Sequence, residues 1–130
     1  GFSKGAGMIE PNMATMLCYV LTDADPACGK DELQEILREA VAASFNMISV
    51  DGDESTSDTA ALLCSKRVPC PDVAAFRAAV FSVCAELASH LTRNGEGTGH
   101  VIRVAVTGAA DDETARRVGR AVVNGPLFKS

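Results

Sequence analysis

Tryptophan is absent from this chain, and its 130 residues hold only one tyrosine and five phenylalanines. A core built from it must be filled mainly by Ala, Val and Leu. Positive charge is also scarce: 12 Lys plus Arg stand against 17 Asp plus Glu, and the net charge of −5 excludes a general nucleic-acid surface. The tight basic cluster Arg116, Arg117 and Arg120 is a solvated helix face, offset by Asp111, Asp112 and Glu113 at the start of that helix. The five cysteines form no CxxC pair and no metal-ligand spacing, and His90 and His100 have no companion ligands. No metal site is therefore expected. An odd number of thiols among apolar neighbours indicates reduced, partly buried cysteines in a reducing compartment. No apolar run approaches the length of a membrane span and no signal peptide is visible. The chain opens on Gly-Phe-Ser and stops just after an apolar segment, so it is expected to be an internal portion of a longer protein.

What is present is globular in character. Hydrophobic residues make up 47 % and charged residues 22 %, and the length suffices for one ordinary core. Met16 to Leu21 has the pattern of a buried strand, followed by a turn over Thr22–Pro26. Leu33, Ile36, Leu37, Ala40 and Val41 recur at helical spacing and predict a helix over about 30–44. Asn46 to Asp51 predicts a second strand, and Ser55–Asp58 supplies capping groups for a short helix over Ala60–Cys64. Pro69 and Pro71 end that element and open a long helix to about Arg93, striped by Val73, Phe76, Val80, Cys84, Leu87 and Leu91. His100 to Thr107 alternates as a strand does, and a last helix is predicted over 112–123 before Asn124-Gly125-Pro126. The expected class is α/β (mixed α+β), in the order strand, helix, strand, short helix, long helix, strand, helix.

The most informative stretch is Lys4-Gly5-Ala6-Gly7-Met8-Ile9-Glu10-Pro11-Asn12-Met13-Ala14-Thr15-Met16-Leu17. Its glycines and Pro11 make a constrained bend ahead of a strand. A threonine between such a bend and a rigid strand is placed to act as a nucleophile, although from the residues alone a β-branched residue opening a strand is the better explanation. Asp51-Gly52-Asp53-Glu54-Ser55-Thr56-Ser57-Asp58 looks like a calcium loop but has Thr56 at its sixth position and Leu62 at its twelfth, where Gly and Glu are required. It is a turn feeding a helix N-terminus or a wall of a substrate pocket. Gly95-Glu96-Gly97-Thr98-Gly99 lacks the dinucleotide fingerprint and is by itself a helix-to-strand turn.

These motifs together resemble the ornithine acetyltransferases of arginine biosynthesis, the ArgJ family, over essentially all 130 residues. Asn124-Gly125-Pro126-Leu127-Phe128-Lys129-Ser130 and the segment from Ser44 to Asp53 resemble the same family. The resemblance implies part of the DmpA/ArgJ-like sandwich fold. It implies autoproteolysis between Ala14 and Thr15, after which Thr15 is the nucleophile, so that residues 1–22 are the cleavage segment and 23–130 an α/β portion of the mature β chain. A freed α-amine, with an ordinary pKa of about 7.7–8, suits the general base that a threonine hydroxyl needs. By the same resemblance Lys4 and Glu96 contact substrate: the ammonium pairs with an α-carboxylate and the carboxylate with the amines of ornithine. The implied reaction moves acetyl from N-acetylornithine to glutamate through an acetyl-Thr15 ester. It uses no metal and no organic cofactor, and leaves acetyl-CoA open as a co-substrate.

The implied partners are the remaining α- and β-chain portions of the same precursor, which supply the oxyanion donors and further substrate contacts. An oligomer of processed α/β heterodimers is expected, with no nucleic acid or membrane partner, and the 130-residue piece alone is expected to be inactive. The implied compartment is the bacterial cytoplasm, or the mitochondrial matrix or plastid in a eukaryote. Two rivals stand beside this reading: an N-terminal-nucleophile aminopeptidase or amidase in which water takes the acyl group, and a non-catalytic α/β binding module.

Overall fold

The computed structural model describes residues 1–5, 7, 16–50 and 58–129. A three-stranded sheet of order β1-β2-β3 is built from β1 (Phe2–Lys4), β2 (Leu17–Pro26) and β3 (Thr59–Cys70). β1 runs antiparallel to β2, and β2 runs parallel to β3. Alternation decides which side of β2 is covered: Cys18, Val20 and Pro26 are buried, whereas Leu21, Asp23 and Asp25 are exposed. Helices α1 (Lys30–Ala42) and α2 (Val73–Arg93) pack on the sheet and on each other, and with it they enclose the core. That core joins Met16, Cys18 and Val20 to Ile36 and Ala40 of α1 and to Phe76, Val80, Cys84, Ala88 and Leu91 of α2. Helices α3 (Asp112–Val123) and the short α4 (Pro126–Lys129) follow. The class is mixed α/β, as expected.

Each long helix starts where the sequence provides for it. α1 has Asp31 and Glu32 in its first turn, complementing the positive end of the helix dipole. The Asp72 carboxylate accepts from the Ala75 N–H at 2.9 Å and the Asp111 carboxylate from the Thr114 N–H at 2.7 Å, capping α2 and α3. Asn94 closes α2 by donating from both its backbone and its side-chain nitrogen to the His90 carbonyl. By length and composition α2 could cross a membrane, which corrects the reading that no apolar run approaches that length. Its buried residues recur every three or four positions while Arg77 turns to Glu32 and Glu39 of α1, so here it is the packing helix of the sheet.

Four predictions are otherwise. The turn expected over Thr22–Pro26 is instead the second half of β2, which pairs with β3 as far as Pro26↔Cys70. The strand expected over Asn46–Asp51 is a 3₁₀ turn, Phe45–Met47, followed by irregular chain; residues 51–57 lie outside the described residues. The Ser44 hydroxyl donates back to the Ala40 carbonyl at 2.5 Å, and the N–H groups of Met47 and Ile48 bond to Ser44 and Phe45. Those local bonds consume donors that a strand would need. The short helix expected over Ala60–Cys64 is instead the first half of β3, in continuous parallel register with β2 from Leu17↔Thr59 to Thr22↔Cys64. Pairing outweighs the helix preference of Ala and Leu. The register shifts between Thr22 and Ala24, with Lys66 at φ 56°, and Pro69 is accommodated because β3 is an edge strand. The strand expected over His100–Thr107 forms no ladder among the described residues. Val104 and Val106 are half-buried in the predicted alternation, but no strand among the described residues lies beside them.

The far face of the sheet is open, and it is apolar around Phe2, Tyr19, Leu21 and Leu63. Phe2 stacks on Tyr19 with ring centroids 5.2 Å apart, and Leu21 and its register partner Leu63 are 55 % and 53 % exposed. A sheet with a parallel pair is normally covered on both faces.

Candidate functional site

At one end of the sheet the three strands come into line: Lys4 is opposite Leu17, and Leu17 is opposite Thr59. Met16, immediately before β2, is fixed there at both of its backbone polar atoms. Its N–H donates to the Asp58 carboxylate at 2.8 Å, and its carbonyl accepts from the Thr59 N–H at 2.9 Å. Its side chain is 7 % exposed and belongs to the core. The ladder between β2 and β3 thus ends with a side-chain carboxylate in the place where a backbone carbonyl would accept. Ala14 and Thr15, the predicted cleavage site and nucleophile, lie outside the described residues, and so does the bend from Met8 to Met13.

Lys4 is exposed at this end of the sheet, in β1, so the strand pairing places it beside the segment that leads from the predicted nucleophile. Glu96 lies elsewhere, exposed in the loop that follows α2. The glycines flanking it are structurally required. Gly97 has φ 72°, in the left-handed region, and a Cβ on Gly95 would meet Thr98 Oγ1 at 2.8 Å and Val50 Cγ1 at 2.9 Å. The loop therefore seats against Val50, the last described residue before the segment that returns to Asp58. No ion pair or hydrogen bond joins Lys4 to Glu96 among the described residues.

Cys18 lies two residues beyond Met16, and burial, then the neighbouring Cys84, pushes its thiol up to about 11. Burial raises Cys84 as well. Both side chains are fully buried, and neutral, inaccessible thiols are poor nucleophiles. Among the described residues no group of three His, Cys, Asp or Glu side chains could hold a metal ion.

A groove of about 840 Å³ lies between the 3₁₀ turn, the second half of α2, residues 101–106 and α3. None of Lys4, Met16, Asp58 or Glu96 lines it. α3, which forms one wall of it, buries no residue fully, and we assign the groove no part in the chemistry.

Asp58 is the residue that sequence reasoning missed. It was read only with its segment, as a turn feeding a helix or a wall of a substrate pocket; its contact with Met16 spans 42 positions and arises once β3 returns beside β2. A carboxylate just ahead of an apolar run is the only local signal.

A family model described as the ArgJ family matches residues 1–130. The arginine biosynthesis bifunctional protein ArgJ of Methylococcus capsulatus is 47 % identical over 137 aligned positions, covering 100 % of this chain and 33 % of the relative. Arginine biosynthesis bifunctional protein ArgJ 2 of Clostridium acetobutylicum is 44 % identical, covering 99 % of this chain and 33 % of the relative. The crystal structure of an arginine biosynthesis bifunctional protein from Bacillus halodurans superposes with a TM-score of 0.80 at 37 % identity, over 89 % of this chain and 57 % of that one. The chain spans about a third of the length of these curated relatives.

Proposed function

This chain belongs to the ArgJ family, and on that premise we propose that it is the self-cleaving, nucleophile-bearing portion of an arginine-biosynthesis acetyltransferase. In the first step Thr15 Oγ attacks the Ala14 carbonyl carbon. The C–O bond forms, the Ala14–Thr15 C–N bond breaks, and the hydroxyl proton passes to the departing Thr15 nitrogen. Water then hydrolyses the ester, leaving a carboxylate on Ala14 and a free hydroxyl and α-amine on Thr15. In the second step the same hydroxyl takes the acetyl group of N-acetylornithine while the α-amine relays its proton to the ornithine leaving group. Glutamate then attacks the acetyl-threonine ester through its amine and regenerates the hydroxyl. Lys4 receives an α-carboxylate and Glu96 the cationic amines of ornithine. No metal or organic cofactor takes part in this exchange. The relatives are named bifunctional, and for the second activity we propose acetyl-CoA as an alternative acetyl donor.

The observation that carries the reading is the family match across residues 1–130, the cleavage motif included. The sheet end supports it: Met16, the residue next to the proposed nucleophile, is held at both backbone polar atoms, and Lys4 stands in the adjacent strand. The rest of the precursor completes the pocket, in an oligomer of processed α/β heterodimers within the bacterial cytoplasm, or in a mitochondrial matrix or plastid if the source is eukaryotic. Intact-mass spectrometry of the full-length protein tests the first step. Two fragments divided before Thr15, and one uncut chain for Thr15→Ala, are expected; an uncut, folded parent removes the catalytic reading.

A further inference from the structure

We propose that Asp58 is a positioning residue for self-cleavage: its carboxylate anchors the backbone next to the scissile bond. The proposal rests on the self-cleavage reading above and adds to it a residue that acts through the backbone of Met16. Three observations carry it. Asp58 accepts the Met16 N–H at 2.8 Å across 42 positions of sequence. The next residue, Thr59, donates to the Met16 carbonyl at 2.9 Å, so consecutive residues of one segment hold both polar atoms of Met16. The Met16 side chain is 7 % exposed within the core. Residue 16 is therefore restrained by two hydrogen bonds and by packing.

The chemistry needs such an anchor. Attack of a hydroxyl on the carbonyl preceding its own residue succeeds only from a narrow range of orientations, and a freely rotating backbone loses most of the advantage of proximity. The Met16 nitrogen is the atom that Thr15 acylates, so a fixed N–H at that position removes rotational freedom on the C-terminal side of the nucleophile. A carboxylate is the strongest acceptor a side chain can offer a peptide N–H. An asparagine would keep an oxygen acceptor in the same place without the charge.

The test uses the full-length protein made by pulse-labelled cell-free synthesis, following division before Thr15 with time. Asp58→Ala is expected to slow cleavage by about tenfold to a hundredfold, the range for losing a hydrogen bond to a charged group. Asp58→Asn is expected to retain most of the rate. A second measurement separates positioning from folding. In the uncleavable Thr15→Ala background, adding Asp58→Ala is expected to speed hydrogen exchange at the Met16 amide about tenfold or more, with the denaturation midpoint little changed. Wild-type cleavage rate in Asp58→Ala overturns the proposal while leaving the self-cleavage reading standing. So does a Met16 amide equally protected with and without the carboxylate, or slow cleavage that merely tracks a lost fold in the Thr15→Ala background. A parent that never divides overturns both.

Discussion

Raising the pH should weaken this fold through its buried thiols, Cys18 foremost. Cys18 is 0 % exposed on the central strand, its pKa raised from an ordinary 9.0 to about 11 by burial first and by Cys84 second. Below pH 9 the folded and unfolded chains both hold the proton, and the thiol adds nothing to the pH dependence. Between pH 9 and 11 the unfolded chain has released it and the folded chain has not, so stability falls as pH rises. Over that window the loss is on the order of 2–3 kcal/mol at about 1.4 kcal/mol per pKa unit. At pH 8 a thiol of pKa 11 carries roughly a hundredfold less thiolate than one of pKa 9, before occlusion is counted. Denaturant titrations of the full-length protein at several alkaline pH values should show this loss, and Cys18→Ala should reduce it, leaving the part due to Cys84. Peptide-resolved alkylation should label Cys18 at least about a hundredfold more slowly than a free cysteine, its rate still climbing above pH 9. An alkylation rate that levels near pH 9, or an alkaline slope unchanged in Cys18→Ala, would refute the reasoning.

Other outcomes follow from the same structure. Ile36→Ala, at a residue 1 % exposed between α1 and the sheet, should cost about 2–5 kcal/mol in denaturant unfolding. Glu96→Gln should raise KM for N-acetylornithine about tenfold or more, with little change for glutamate, in steady-state assays of the full-length enzyme. The 130-residue chain alone should show no transferase activity, whereas the full-length protein should form acetylglutamate only when glutamate is present. Acetate released without any acceptor would favour the hydrolase reading.

The helices were legible because their signals are local. α1 and α2 carry an apolar stripe at helical spacing, and α2 and α3 begin on an aspartate that caps them. β3 was not, because Ala60 to Cys64 prefers a helix until β2 lies beside it, and each register partner, from Cys18↔Ala60 to Thr22↔Cys64, is 42 positions away. The alternation of residues 100–107 was read correctly as a pattern but not as an element, since a strand exists only with a neighbour. At the site, Lys4 and Glu96 came from family motifs, not from their own chemistry, for an exposed lysine and an exposed glutamate look like any others. Asp58 was hidden for the same reason as β3: its partner is set by topology.

The contact between Asp58 and Met16 also puts the cut under the control of assembly. The chain emerges from the ribosome with residue 16 first, and α1 and the turn after it must follow before residue 58 can return. A nascent or collapsed chain holds the threonine but lacks the anchor, so it should divide far more slowly than the folded one. Under the proposed role, division of the precursor becomes a record that the parallel pair has closed, and the uncut population in a cell extract counts the chains that have not yet folded.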